Sequence, residues 1–172
     1  GPSKELSLGE SSFELAPKKS QDYLDLVWET ADRTSRWTAV RGKLEIRPPA
    51  AQSSRGLELV NELPLDAYIM GVVPSEVPAS FPSECLKAMA VVARTFCLAH
   101  LDRHHADGYD VCAEVHCQVY RGLAQESIPT NLAVYSTLGE VLSYQGHPVD
   151  ATFHACCGGY GVDVESIWPK GK

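Results

Sequence analysis

Val73 to Pro82 reads VPSEVPASFP, three prolines around a single acid, Glu76. Pro74 and Pro78 fix φ at their own positions and restrict the residues before them. A connector of this kind, set between two helices, loses little entropy when it holds one shape. Its neighbours Val72, Val73, Val77 and Phe81 are apolar. A carboxyl group against such side chains loses water, which favours the protonated form that a general acid must start from. On spacing alone, a solvated loop residue or a helix N-terminal cap is the competing account of Glu76.

A second group capable of chemistry is the C-x3-H-C arrangement of Cys112, His116 and Cys117. Soft thiolates plus an imidazole at this spacing suit Zn²⁺ in tetrahedral geometry, and a loop-rich segment gains from a metal clip. A Cys112–Cys117 disulfide, or two free thiols, are the alternatives. Six cysteines in 172 residues are too few for a disulfide scaffold. Cys85 and Cys97 fall on one helix about 18 Å apart at 1.5 Å per residue, too far to bridge, and read as core residues. His100, His104 and His105 read as surface or helix-end groups, with metal binding the minor alternative.

The elements that must position these groups follow from periodicity. Residues 1–21 are polar and aperiodic and are expected to be a loose lead-in to a domain over 22–172. YLDLVWE (23–29), WTAVRGKLEIR (37–47) and LELVNEL (57–63) alternate and predict strands. Pro64 opens a short helix carrying Leu65, Tyr68, Ile69 and Val72, which Pro74 is expected to stop. The strongest helix is predicted over about 82–101, with Leu86, Met89, Ala90, Ala93, Phe96, Cys97 and His100 on one face. Residues 104–122 are irregular and polar, 130–138 predict a third helix ended by Gly139, and 140–155 predict a hairpin turning at Gln145-Gly146. The expected fold class is α+β, a single domain with a mixed or antiparallel sheet, a long central helix and a substrate cleft.

The bulk numbers narrow the function. A formal net charge of −7 argues against nucleic acid as a partner. The longest apolar run, CLKAMAVVA, is interrupted by Arg94 and is too short to cross a bilayer. Gly1-Pro2-Ser3 resembles a protease scar, so membrane contact is expected only through an upstream anchor or export signal absent from this sequence.

ELPLDAYIMGVVPSEVPASFPSECLKAMAVVARTFCLAH (62–100) closely resembles the hallmark segment of the SpoIID family, the stage II sporulation protein D lytic transglycosylases. VCAEVHCQVYRG (111–122) is similar to its Gln-Val-Tyr-x-Gly motif, and FHACCGGYGVDVESIW (153–168) to its His-x-x-x-Gly-Gly motif. The resemblance spans roughly 57–168. It implies an extracytoplasmic enzyme of the cell envelope or periplasm, acting on peptidoglycan glycan strands whose stem peptides an N-acetylmuramoyl-L-alanine amidase has removed. Such an enzyme cleaves the β-1,4 bond between N-acetylmuramic acid and N-acetylglucosamine without water and leaves a 1,6-anhydro end. One carboxylate suffices, and the resemblance assigns that role to Glu76. No obvious second acid stands in the motifs, Asp110 and Glu114 being weak candidates. Arg94, Gln118, Tyr120, His154, Gly158 and Gly159 match family positions expected to line the cleft, although Arg94 and Tyr120 are equally well read as an internal ion pair and a packing residue.

The resemblance also brings Cys157 and His154 near the C-x3-H-C segment. The expected zinc ligands are therefore Cys112, His116, Cys117 and Cys157, with His154 in the cleft and the two histidine roles exchangeable. Relatives usually continue well past the tryptophan block, and Ala155 stands where they often carry a hydroxyl. Two other classes of function stay open at this point: a module that holds denuded glycan and recruits or activates an amidase without cutting, and a wall-peptide thiol hydrolase using Cys157 with His154.

Overall fold

A computed structural model describes residues 13–17, 23–29, 35–49, 57–154 and 158–167. The alternating N-terminal third forms strands β1 (Phe13–Leu15), β2 (Leu24–Glu29), β3 (Ser35–Val40), β4 (Lys43–Arg47) and β5 (Glu58–Glu62). β4 is the middle strand of an antiparallel sheet ordered β1-β4-β5, with Leu44 opposite both Leu15 and Asn61. β2 and β3 pair separately along their full length.

Two expectations change here. Residues 13–15, placed in a loose lead-in, lie on β4 and satisfy that strand's outer backbone groups. The single strand expected over 37–47 is two strands in different sheets. The break falls at Arg41-Gly42, where Gly42 has φ +76 and any Cβ would strike the Glu62 carbonyl. Asn61 holds the break from β5, donating through Nδ2 to the carbonyls of Arg41 and Lys43 at 2.8 Å each.

The helical layer consists of α1 (Leu65–Glu76), α2 (Ser83–Ala99) and α3 (Ile128–Ser136). Pro74 lies inside α1 instead of stopping it. Its missing N–H removes one bond, but Ser75 Oγ donates to the Gly71 carbonyl at 2.8 Å and Val77 N–H to Val73 at 3.0 Å, so the last turn survives. Glu76 is therefore the final residue of α1 and not part of the connector. Pro82 caps α2 and Glu84 occupies its first turn, as the helix dipole favours. At α3, Ser127 N–H donates to Thr130 Oγ1 at 3.3 Å, and the two hydroxyls lie 2.9 Å apart.

Ile69, Val72, Val73, Ala90, Ala93 and Val134 are fully or almost fully buried and form the centre of the core between the three helices. The predicted face of α2 is the buried one, except that His100 at its end stays partly exposed. Residues 104–122 lack a core of their own and carry only a bridge between His104 and Tyr109 and a short 3₁₀ turn at His105–Asp107, with a second turn following at Gly122–Gln125. β6 (Ser143–Tyr144) and β7 (His147–Pro148) form the hairpin, with Gln145 and Gly146 at φ +50 and +83 in the two-residue turn. A four-residue helix, α4 (Val164–Ile167), completes a single α+β domain.

Candidate active groove and metal cluster

At the C-terminal end of α1, Glu76 meets the 116–120 segment. Its Oε1 accepts a hydrogen bond from the Val119 backbone N–H at 2.9 Å, and Oε2 has no hydrogen-bond partner among the described residues. The carboxylate is thus oriented by a main-chain group that cannot be lost to a rotamer change. Gln118 locks that segment in place. Its Nε2 donates to the Ala93 carbonyl of α2 at 3.2 Å and its Oε1 accepts from Tyr68 of α1 at 3.3 Å.

Glu76 lines a groove of about 870 Å³, within the range of about 300–1,000 Å³ typical of ligand sites. Its apolar lining includes Val77, Pro78 and Phe81 from the proline-rich connector, Met89 and Phe96 from α2, and Phe153. Phe96 meets Phe153 edge-on at 6.2 Å and stacks on His100 at 4.1 Å. Its polar lining includes Arg103, His116, Asp150, Thr152 and His154. Asp150, a second carboxylate among the described residues of the groove, lies 3.5 Å from His100 Nε2. Neither weak candidate for a second acid lines this groove. Asp110 faces a separate cavity, and Glu114 is held below the usual carboxylate range by its hydrogen bonds to Arg121 on the surface.

Beside the groove, His104, Cys112, His116 and Cys117 bring one donor atom each to within 4.8 Å of one another. His104 Nε2 and His116 Nδ1 are 3.3 Å apart, and Cys117 Sγ lies 3.5 Å and 3.6 Å from these two nitrogens. Cys112 Sγ is 3.9 Å from His116 Nδ1. Four ligands at metal–nitrogen and metal–sulfur lengths of about 2.0–2.3 Å would stand about 3.3–3.8 Å apart at tetrahedral corners. The donor set and its spacing therefore fit a tetrahedral cation. Asp107 Oδ2, 3.2 Å from His104 Nδ1, orients that ring with Nε2 toward the cluster. Both cysteines are free thiols. Burial raises the Cys117 thiol above its ordinary range, a charge from Cys112 adds to this, and the positive charge of Arg103 opposes it.

Other residues expected at the site sit elsewhere. Arg94 is buried, with Nε and Nη2 on Asp66 Oδ1 at 2.9 Å and 2.8 Å and Nη1 donating to the Glu140 carbonyl at 3.0 Å. Its fork finds every acceptor inside the fold, so it braces α1, α2 and the end of α3 instead of lining the cleft. Gln118 is likewise internal, 1% exposed. Tyr120 stacks on Tyr68 at 5.3 Å and donates to Asn61 Oδ1 at 3.2 Å, and it faces the other cavity, of about 590 Å³, toward β5. His154 lines the groove. Gly158 and Gly159, at φ +61 and +95, are exposed and absent from its lining. Cys157, the expected fourth ligand, lies outside the described residues. Sequence reasoning set aside His104, whose place in the cluster follows from the 104–109 bridge turning it back over 112–117. It also missed Arg103 and Asp150, whose only signal was adjacency to irregular segments.

A profile of the family described as SpoIID, Stage II sporulation protein, matches residues 53–144, a little over half of the chain. The Stage II sporulation protein D of Bacillus subtilis (strain 168) is 36% identical over 124 residues, covering 63% of this chain and 36% of that protein. The protein of the same name from Bacillus amyloliquefaciens is 34% identical over 124 residues, with the same two shares. The Amidase enhancer of B. subtilis is 37% identical over 100 residues, covering 58% of this chain and 13% of its own length. The chain thus spans about a third of the length of the sporulation proteins it matches.

Proposed function

The chain belongs to the SpoIID family, and from that premise we propose that it is a peptidoglycan lytic transglycosylase with Glu76 as its one acid–base group. The observation that carries this reading is the state of that side chain: one oxygen held by the Val119 N–H, the other unpartnered among the described residues, in a groove whose lining mixes aromatic and polar side chains. In the proposed reaction Oε2 gives its proton to the glycosidic oxygen as the bond from the muramic acid C1 breaks. The 6-hydroxyl of the same sugar closes on C1 and returns its proton to the carboxylate. No water is consumed, and the group ends as it began. Phe81 and Phe153 offer faces for sugar rings, and Thr152 and His154 offer polar groups for hydroxyls and acetamides.

His104, Cys112, His116 and Cys117 would hold zinc, which would supply a rigid crosslink for the 104–117 segment. The chemistry proposed for Glu76 requires no metal. A family relative named as an amidase enhancer supports an amidase as partner or predecessor, and with it an extracytoplasmic, wall-associated location. Among the described residues no helix is long and apolar enough to cross a membrane.

Incubation with amidase-treated glycan strands, followed by mass spectrometry, tests the reading. The expected products are 1,6-anhydro ends, falling by about 10²–10⁴-fold in Glu76→Gln, the usual contribution of a general acid. Glycan retention without new ends would instead establish the non-cutting module. Reducing ends in place of anhydro ends would mean that water attacks, with Asp150 the carboxylate to examine. Metal analysis is expected to find one zinc per chain, lost in the His104→Ala, Cys112→Ser double variant.

A further inference from the structure

The three-stranded sheet ends at β5, which pairs with β4 on one side and, among the described residues, with no strand on the other. An unpaired edge is a template for another chain, and proteins blunt it with proline, lysine or a covering segment. β5, Glu58-Leu59-Val60-Asn61-Glu62, carries neither proline nor lysine. Leu57 and Leu59, which share a face, are 57% and 45% exposed. All five residues of β5 line the cavity of about 590 Å³, together with the continuous run 108–113. Successive strand residues point to opposite faces. A cavity that touches both faces passes round the free edge, since β4 closes the other. The space is already formed. Arg47 donates to Glu58 Oε2 at 2.8 Å and to the Asp107 carbonyl, which ties the 105–108 turn to the sheet. Tyr120 donates to Asn61 Oδ1 at 3.2 Å. Among the described residues this cavity shares no lining residue with the Glu76 groove.

Charge decides which strand fits. Lys43 is shared by Glu14 and Glu62, and Arg47 by Glu45 and Glu58. Four carboxylates against two cations leave two negative charges, and Asp110 in the same lining adds a third. A second copy paired antiparallel through β5, in register about Val60, would set Glu58 opposite Glu62. Like charges directly opposite destabilise a strand pair, so the edge disfavours itself. We propose that the β5 edge is a docking site for an extended basic segment of a partner protein, added to the sheet as a further strand. Cross-strand neighbours share a face. The segment that fits alternates apolar residues, beside Leu57 and Leu59, with lysine or arginine, beside Glu58 and Glu62. Backbone hydrogen bonds hold it, and the glutamates select its charge. This docking does not depend on the reaction assigned to Glu76.

Fluorescence anisotropy with a labelled octapeptide of alternating lysine and valine tests this on the unaltered chain. It should bind about tenfold tighter than the glutamate–valine octapeptide, and tighter than a block peptide with lysines first and valines after. Methylating the backbone nitrogens of all the valines, or of all the lysines, blocks one edge of the peptide and keeps every charge. At least one of these two peptides should lose about tenfold or more in affinity, as the loss of two or more backbone hydrogen bonds implies. Amide exchange should slow in β5 when the alternating peptide is added. In the Glu58→Gln, Glu62→Gln double variant the preference for lysine over glutamate should shrink severalfold. No saturable binding below about 1 mM overturns the proposal. So does binding that neither methylated peptide loses, which would be attraction to an acidic surface alone. A dimer whose β5 amides are protected without peptide gives the edge to a second copy and equally overturns it.

Discussion

Glu76 and Arg94 were both readable from the sequence as polar groups in apolar company, yet the fold gives them opposite fates. Glu76 ends a helix, so its side chain leaves the core and meets one backbone donor. Arg94 lies in mid-helix on the face that packs against α1 and α3, and its charge is balanced by Asp66, itself 35% exposed. Removing a buried cation from such a brace leaves the Glu140 carbonyl without its donor and Asp66 without its counter-charge. Arg94→Ala should destabilise the domain by about 3 kcal/mol, read as a lowered urea midpoint with unchanged slope. Below that midpoint glycan binding should be retained, whereas a group lining the groove would lose binding without losing stability. Sequence pattern could not separate the two fates, because burial of a charged side chain depends on which partners the neighbouring helices bring.

The elements were largely legible, since period-2 and period-3.6 patterns reflect the burial of a single face. What escaped was how breakers act once neighbours are present. Pro74 was expected to end α1, but its missing N–H takes away only the bond to the Met70 carbonyl, while Ser75 Oγ on Gly71 and Val77 N–H on Val73 hold the last turn, and the helix runs to Glu76. This extra turn is what brings the acid to the 116–120 segment. The same helix approaches that segment closely at Gly71, where an added Cβ would fall on the Tyr120 ring. Gly71→Ala should therefore cost about 1–3 kcal/mol by overpacking, measured by denaturation. Tyr120→Leu should relieve part of that cost in the double variant, as coupling through contact requires.

At the scale of the whole molecule, the region where α1, α2 and the 110–120 segment meet is dry enough to hold protons. Burial, with Asp110 nearby, raises the Cys97 thiol from 9.0 to about 11. Burial, with Glu126 nearby, raises the Tyr120 phenol from 10.0 to about 12. In both cases the folded chain keeps a proton that the unfolded chain releases. Their contribution is full below about pH 9, begins to fade as the unfolded thiol and then the unfolded phenol ionise, and is gone above about pH 12. Stability in the presence of chelator should thus fall between pH 9 and 12, by on the order of 2 kcal/mol for each group. Cys97→Ala and Tyr120→Phe should each flatten a thermal-denaturation profile taken across that range.

By itself the sequence determined the α+β class, the helical core faces, the family, and the acid and Cys/His groups able to do chemistry, because these depend on residue type and short-range spacing. It could not assign His104 to the Cys/His cluster, send Arg94, Gln118 and Tyr120 inward, or bring Arg103 and Asp150 to the lining of one groove. Those outcomes depend on which segments far apart in the chain pack together, and only tertiary packing decides which polar groups meet a partner and which remain open to a ligand.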